Sequence, residues 1–343
     1  MTGVIAAGAG LLNSGGVETA DLFLDSEALT AGRDGESRPL MLVDLSGVMG
    51  DVPGLRMPPC PLIGVGDAAH PLAHRLDAVV ERPVMLPTLL AAIGANRQAA
   101  AVVVQLLRGI EGLGMEAALV QESMAYGLLQ AGGEHGAWLA ARRVGAVLPP
   151  GALRLERVGE RLEMVIDRPD ARNAIDRTMR DALREAFELA TLDPDAEQVV
   201  LRSVGRAFCV GADLEEFGTT RDPVVAHGIR MATLPAHAIV RCREKLRVHV
   251  QGACVGAGLE MAAFAARVVA DRGAWFQLPE LAMGLLPGAG GCVSVSRRIG
   301  RQRAALMILS GKRIDAATAL SWGLIDAIMD DGAAEDGHAD IVG

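Results

Sequence analysis

Pro149-Pro150-Gly151 divides this 343-residue chain into two stretches of different pattern, and that break constrains the fold more than any other feature. Proline lacks the N–H that a helix interior or central strand needs, so two prolines followed by a glycine mark a boundary between folded units. Beyond the break, short apolar runs alternate with helical periodicity. Leu153 to Asp167 alternates apolar and polar residues through Leu162 and Met164 around Gly159-Glu160, which is a hairpin pattern. Met179, Leu183 and Phe187 recur at helical spacing. Val199-Val200-Leu201 and Val248-His249-Val250 read as strands, the second ending at Gln251-Gly252. Strands alternating with helices favour an α/β fold with a substantial parallel component.

Ahead of the break the chain is rich in predicted helix. Leu40 to Leu45, ending at Ser46-Gly47, and Leu62-Ile63-Gly64-Val65 read as strands. A helix is expected from Leu89 to Leu107, a second from Met115 to Gln130 with Leu119, Met124 and Leu128 on one face, and a third from Glu134 to Arg143. Residues 1–38 have weak periodicity and read as a weakly ordered arm. The division is therefore an arm over 1–38, an accessory domain over 39–150, a main domain over 151–330 and an acidic flexible tail over 331–343.

Composition narrows the function. Half the residues (50%) are hydrophobic but only 3% are aromatic, with Tyr126 the single tyrosine, so the core must be built from Ala, Val, Leu, Ile and Met. The net charge of −9 argues against a nucleic-acid partner, which demands clustered Lys and Arg. Cys60, Cys209, Cys242, Cys254 and Cys292 are odd in number and lack metal-site spacing, which predicts reduced thiols, no metal and a cytoplasmic protein. The N-terminus has no basic region before its apolar residues, so no signal peptide is expected. No uncharged apolar run of about 18 residues occurs, so no membrane partner is expected either.

Three stretches carry chemistry. Gly205 to Leu214 runs from a strand into small residues that let a ligand approach backbone N–H groups; an ordinary strand-to-helix turn reads the same way. Gly252 to Ala262 passes from a strand through a Gly/Ala loop into an apolar helix, whose free N–H groups can hold developing negative charge. Glu260 lies in its first turn, either complementing the helix dipole or serving as a buried acid or base. Phe276 to Gly291 contains Glu280, a lone carboxylate among apolar residues. It is either a surface group or one whose burial raises its pKa and suits it to proton transfer.

Taken with Arg168 to Ile175, Gly311 to Ala316 and Ala319 to Asp326, these stretches resemble the crotonase (enoyl-CoA hydratase/isomerase) superfamily in order and spacing over about residues 153–330. The resemblance implies a spiral of ββα repeats, with the additional N-terminal α/β segment rich in helices. It implies an acyl-CoA thioester substrate, no cofactor beyond coenzyme A as part of that substrate, and a homo-oligomer, a trimer or multiple of trimers. The thioester oxygen would sit between the backbone N–H groups of Val210 and Ala257, because an enolate oxyanion requires preorganised donors. Glu260 and Glu280 would be the two catalytic carboxyls, sharing a water and shuttling protons. Gly288 would lie beside the reacting water, while Ala171, Ala212, Asp213, Leu214 and Gly256 would contact the substrate or its coenzyme A end. Cys292 in place of Thr, Leu246 in place of Pro and Arg267 in place of Asp depart from the family pattern around the acyl pocket.

Retention of both glutamates implies enoyl-CoA hydration. An enoyl-CoA isomerase or other thioester-enolate chemistry is the alternative among enzymes, and a catalytically inert crotonase-fold scaffold is the alternative outside them. The covering helices that family members carry after the Gly323 to Asp326 motif are not found there. His74 to Arg143 resembles them, with Asp77 to Glu81 as the strand leading into them. Residues 39–147 read either as a degenerate half-copy of the fold lacking its glutamates or as an unrelated accessory domain.

Overall fold

The computed structural model describes residues 19–24, 29–30, 38–82, 85–146 and 148–329. Most of the predicted arm, and the acidic tail, lie outside these residues. Short apolar runs in the first half form one parallel sheet: β1 (Phe23–Leu24), β2 (Met41–Asp44), β3 (Leu62–Val65) and β4 (Ala78–Val80), side by side in chain order. Met41 pairs with Leu62, and Ile63 with Ala78.

The helix expected from Leu89 to Leu107 is two helices, α1 (Leu86–Ala95) and α2 (Arg97–Ile110), which meet at 104°. Asn96 leaves helical geometry (φ −137°, ψ 61°), and the Glu134 carboxylate accepts from the N–H groups of Gln98 and Ala99, both at 2.9 Å. A remote carboxylate thus satisfies the donors of a fresh helix start, which apolar periodicity alone does not register. Helix α3 (Met115–Gln130) has the expected span but a different buried face. Met124 and Leu128 are 46% and 65% exposed, whereas Ala118, Leu119, Glu122 and Ser123 point inward. α4 (Gly133–Ala141) follows.

In the second half, β5 (Ala152–Val158) and β6 (Arg161–Asp167) form the expected hairpin around Gly159. α5 (Arg177–Leu192) begins at Asp176, whose side chain accepts from Met179 N–H, and buries Met179, Leu183 and Phe187. Then come β7 (Gln198–Ser203), α6 (Pro223–Thr233), α7 (Pro235–Cys242), β8 (Leu246–Val250), β9 (Ala253–Val255), α8 (Ala257–Ala262), β10 (Arg267–Asp271) and β11 (Trp275–Gln277). The chain ends its described part with α9 (Gly291–Ile299), α10 (Arg301–Ser310), β12 (Ile314–Asp315), α11 (Ala316–Trp322) and β13 (Ala327–Met329).

These strands make a six-stranded sheet in the order β13-β10-β8-β7-β6-β5, parallel except at the β5–β6 hairpin, and a three-stranded sheet in the order β12-β11-β9. β8 lies in the large sheet and β9 in the small one; β10 and β11 repeat that step. Over these two turns the chain winds as a spiral, one strand to each sheet, with α8 between the turns.

The two halves form one body. A continuous apolar core runs from Leu22 through Ile63, Leu89 and Leu107 to Phe208, Leu246 and Ile325. Asp77, only 1% exposed, lies at the seam: Arg108 from α2 binds it at 2.5 and 2.8 Å, and Arg301 from α10 approaches it at 3.4 Å. Arg301 also donates to the carbonyls of Leu76 and His74, both at 3.1 Å. Among the described residues all five cysteines are buried and unbridged, and no single helix is long and apolar enough to cross a membrane.

Candidate active site

The loop edges of the spiral and the inner faces of α3 and α6 enclose a cavity of about 740 Å³. It is lined by Val210, Ala212, Asp213, Leu214, Gly256, Ala257, Glu260, Glu280 and Gly288, all singled out by sequence. Ala171 is not among its lining residues; it ends a short 3₁₀ turn, Pro169–Ala171, set back from the wall. Asp213 lines the cavity but its carboxylate is engaged elsewhere, paired with Arg168 at 2.7 Å and accepting from Glu215 N–H at 3.0 Å. Asp213 thus shapes the loop, with its N–H bound to Ile175 O and its carbonyl accepting from Glu216 N–H.

Two N–H groups face this cavity. Cys209 joins the small sheet by a parallel bridge to Cys254, with Cys209 N–H donating to Ala253 O and Val255 N–H to Cys209 O. That pairing stops one residue short of Val210, and α8 starts at Ala257. Neither the Val210 nor the Ala257 N–H has an acceptor among the described residues. Two lining N–H groups in this state can hold an oxyanion.

Glu260 is carried inward by α8 and is 2% exposed. Its Oε2 accepts from Ala289 N–H at 2.7 Å and Gly291 N–H at 2.8 Å, and Ser294 Oγ donates to its main-chain carbonyl at 2.7 Å. Burial pushes its pKa up to about 7, against the two N–H donors, which favour the carboxylate. Glu280 begins a 3₁₀ turn, Glu280–Met283, and its Oε2 is buried without a hydrogen-bond partner. Burial first, and the neighbouring Glu260 second, hold its pKa well above the usual carboxylate range. Gly256 makes the approach of Glu280 possible: a Cβ there would lie 2.7 Å from Glu280 Oε1, and its φ of +49° suits glycine.

A third carboxyl was not singled out by sequence. Glu122 reaches the site from α3, 1% exposed, with Oε1 accepting from Gly290 N–H at 2.7 Å and Oε2 from Cys292 N–H at 2.9 Å. The four successive N–H groups of residues 289–292 therefore alternate between Glu260 and Glu122. Burial, then repulsion from Glu260, raises the Glu122 pKa. Tyr126, one turn further along α3, lies with its ring edge against Gly288, where a Cβ would be 2.2 Å from its Cδ2. The only sign in sequence was a polar pair, Glu122-Ser123, at positions three and four beyond Leu119 on a helix.

Such a pair of buried acids beside free N–H donors is the equipment for moving protons next to a carbonyl. The enoyl-CoA hydratase/isomerase family model matches residues 160–340. The chain belongs to the enoyl-CoA hydratase/isomerase family. It is 33% identical over 193 residues to "Probable enoyl-CoA hydratase 2, mitochondrial" of Arabidopsis thaliana, covering 55% of this chain and 64% of that one. It is 34% identical over 179 residues to a "Mevalonyl-coenzyme A hydratase" of Beauveria bassiana, covering 50% and 64%. The "putative Enoyl-CoA hydratase/isomerase" crystal structure from Mycobacterium abscessus superposes with a TM-score of 0.51 at 35% identity, covering 55% of this chain and 75% of that one. The chain thus spans 64% of the length of both curated relatives. The family match begins ten residues after Pro150, so α3 and α4 of this family member lie outside it.

Proposed function

We propose that this family member is an enoyl-CoA hydratase, adding water across the 2,3 double bond of a trans-2-enoyl-CoA. The observation that carries this reading is the pairing of two unlike buried carboxyls at one cavity: Glu260 with two N–H donors favouring its carboxylate, and Glu280 with an unpartnered oxygen. Such environments separate their pKa values, which is what an acid and a base acting together require. Glu260 as carboxylate takes a proton from water while the water oxygen bonds to C3. The double-bond electrons move toward C2, and negative charge grows on the thioester oxygen against the N–H groups of Val210 and Ala257. Neutral Glu280 then delivers its proton to C2. Each oxyanion donor contributes about 3–4 kcal/mol to such a step. Residues 39–150 contribute Tyr126, Gln130 and His135 to the cavity wall and so serve as its cover.

The test is the loss of enoyl absorbance when the full chain meets crotonyl-CoA, with the product identified as the 3-hydroxyacyl thioester. Glu260→Gln and Glu280→Gln should each lower kcat by roughly 100-fold or more. Double-bond migration without water uptake would assign isomerisation instead. Unchanged rates in both variants would refute the site.

A further inference from the structure

Beside Tyr126, in the lining of the same cavity, sits a cation with no carboxylate partner. Arg230 projects from α6 into the lining, its guanidinium 4.6 Å from the centre of the Tyr126 ring. Nε donates to Ser123 Oγ, Nη1 to Gln130 Oε1 and Nη2 to the Ser123 carbonyl, each at 3.0 Å. All three acceptors are neutral. A guanidinium has five N–H donors, so two are left over. Among the described residues no carboxylate lies within ion-pair distance of Arg230. Glu122, the acid whose charge acts on Arg230 from beyond ion-pair distance, already spends both oxygens on Gly290 and Cys292. Burial lowers the pKa of Arg230, the signature of a cation short of compensation.

Polar groups share that lining with apolar side chains such as Ile229, Leu234 and Met283, which suit a short hydrocarbon ending in a polar group. Gln130, Thr219, Thr220 and Thr233 line the same cavity. An alkyl tail would leave the free guanidinium edge dry and unpaired, which is costly. A carboxylate would meet it with the charge-assisted, two-pronged geometry that arginine favours.

Resting on the hydratase reading for the thioester end, we propose that Arg230 binds a negatively charged acyl terminus, and that the preferred substrates are enoyl-CoA thioesters of dicarboxylic acids. Tyr126 joins the two ends: its edge borders Gly288 beside the glutamates and its face carries Arg230. The acyl chain runs along that ring from the thioester to the guanidinium.

Binding rather than turnover tests this, so the result does not depend on hydratase activity. The full chain is titrated calorimetrically with three saturated thioesters of equal length: adipoyl-CoA, its methyl ester, and hexanoyl-CoA. Adipoyl-CoA should bind on the order of tenfold or more tighter than the other two. Arg230→Gln should bring the ratio near one, and Arg230→Lys should keep part of it. Equal affinity of the wild-type chain for acid and methyl ester would overturn the proposal, and this comparison stands even if Arg230→Gln does not fold. Equal weakening of all three thioesters in Arg230→Gln would also overturn it, placing a coenzyme A phosphate on Arg230. Failure of the hydratase reading would show separately, as absent crotonyl-CoA hydration beside an intact adipoyl-CoA preference.

Discussion

Gly256→Ala strikes the site through backbone and carboxylate at once. The backbone there has φ +49° and ψ −126°, a region nearly closed to residues with a Cβ, and holding alanine in it costs about 1–3 kcal/mol. The new Cβ would lie 2.7 Å from Glu280 Oε1. Ordinary contact begins at 3.4 Å, so the carboxyl must retreat by 0.7 Å (3.4 less 2.7). Glu280 ends in a flexible chain, so the steric part is cheap. The chemical part is not, because a misplacement of about 1 Å in a reacting group costs on the order of 100-fold in rate. We expect kcat for crotonyl-CoA hydration to fall by roughly 10- to 100-fold and the unfolding free energy to drop by about 1–3 kcal/mol. Gly228→Ala is the matched control: it sits exposed in α6 with nothing within 4 Å of an added Cβ. It should leave kcat alone and stabilise by up to about 1 kcal/mol. A Gly256→Ala enzyme within twofold of wild type in kcat and equal in stability would refute the assignment of Gly256 as the residue that admits Glu280.

Four further outcomes are expected. The kcat/KM of hydration should rise with pH through about 7, as Glu260 loses its proton, and Glu260→Gln should abolish that limb. The same group sets a stability trend: between about 4.5 and 7 the native state binds a proton that the unfolded state has lost, so stability should fall as pH rises across this window, by up to about 3 kcal/mol, in denaturation of wild type against Glu260→Gln. Asp77→Ala should cost about 3–5 kcal/mol in chemical denaturation, because it removes the carboxylate paired with Arg108 and one of the two paired with Arg301 at the seam between the halves; a loss under about 1 kcal/mol would show that seam to be dispensable. Glu122→Gln replaces one acceptor oxygen by an NH₂ group facing an N–H donor, so kcat should fall by roughly tenfold with a smaller change in KM. An unaltered kcat would show that Glu260 keeps its place without it.

How far the sequence reaches depends on how local the cause is. The Gly159 hairpin, the α3 span and the Met179-Leu183-Phe187 face follow from neighbours a few residues apart, and the structure has them. Val210, Ala257, Glu260 and Glu280 were named together through the resemblance of ordered motifs to a family, and the structure lines one cavity with them. Glu122 escaped because its partners, Gly290 and Cys292, are 168 and 170 residues away, and no periodicity spans such an interval. The assumption that apolar residues face inward also reversed α3, where Met124 and Leu128 point out so that Glu122 and Ser123 can point in. Arg230 escaped for the same reason: its environment is made by α3, from the other half of the chain. The α1–α2 bend needed Glu134, which donates nothing to the local pattern of residues 86–110.

The row of four N–H groups at residues 289–292 has a consequence for how the molecule comes into being. Domains emerging from the ribosome fold in the order in which they are made. Here α3, with Glu122 on its inner face, leaves the exit tunnel long before the peptide groups it will bind. Until Gly290 and Cys292 arrive, that acid is free to stay hydrated and charged. The row can be shared between two carboxyls only once residues 289–292 have been made, so completion of the site depends on the last part of the chain to be synthesised. A chain that has failed to seat its first half would carry Glu260 and Glu280 but hold the first of them in the wrong frame.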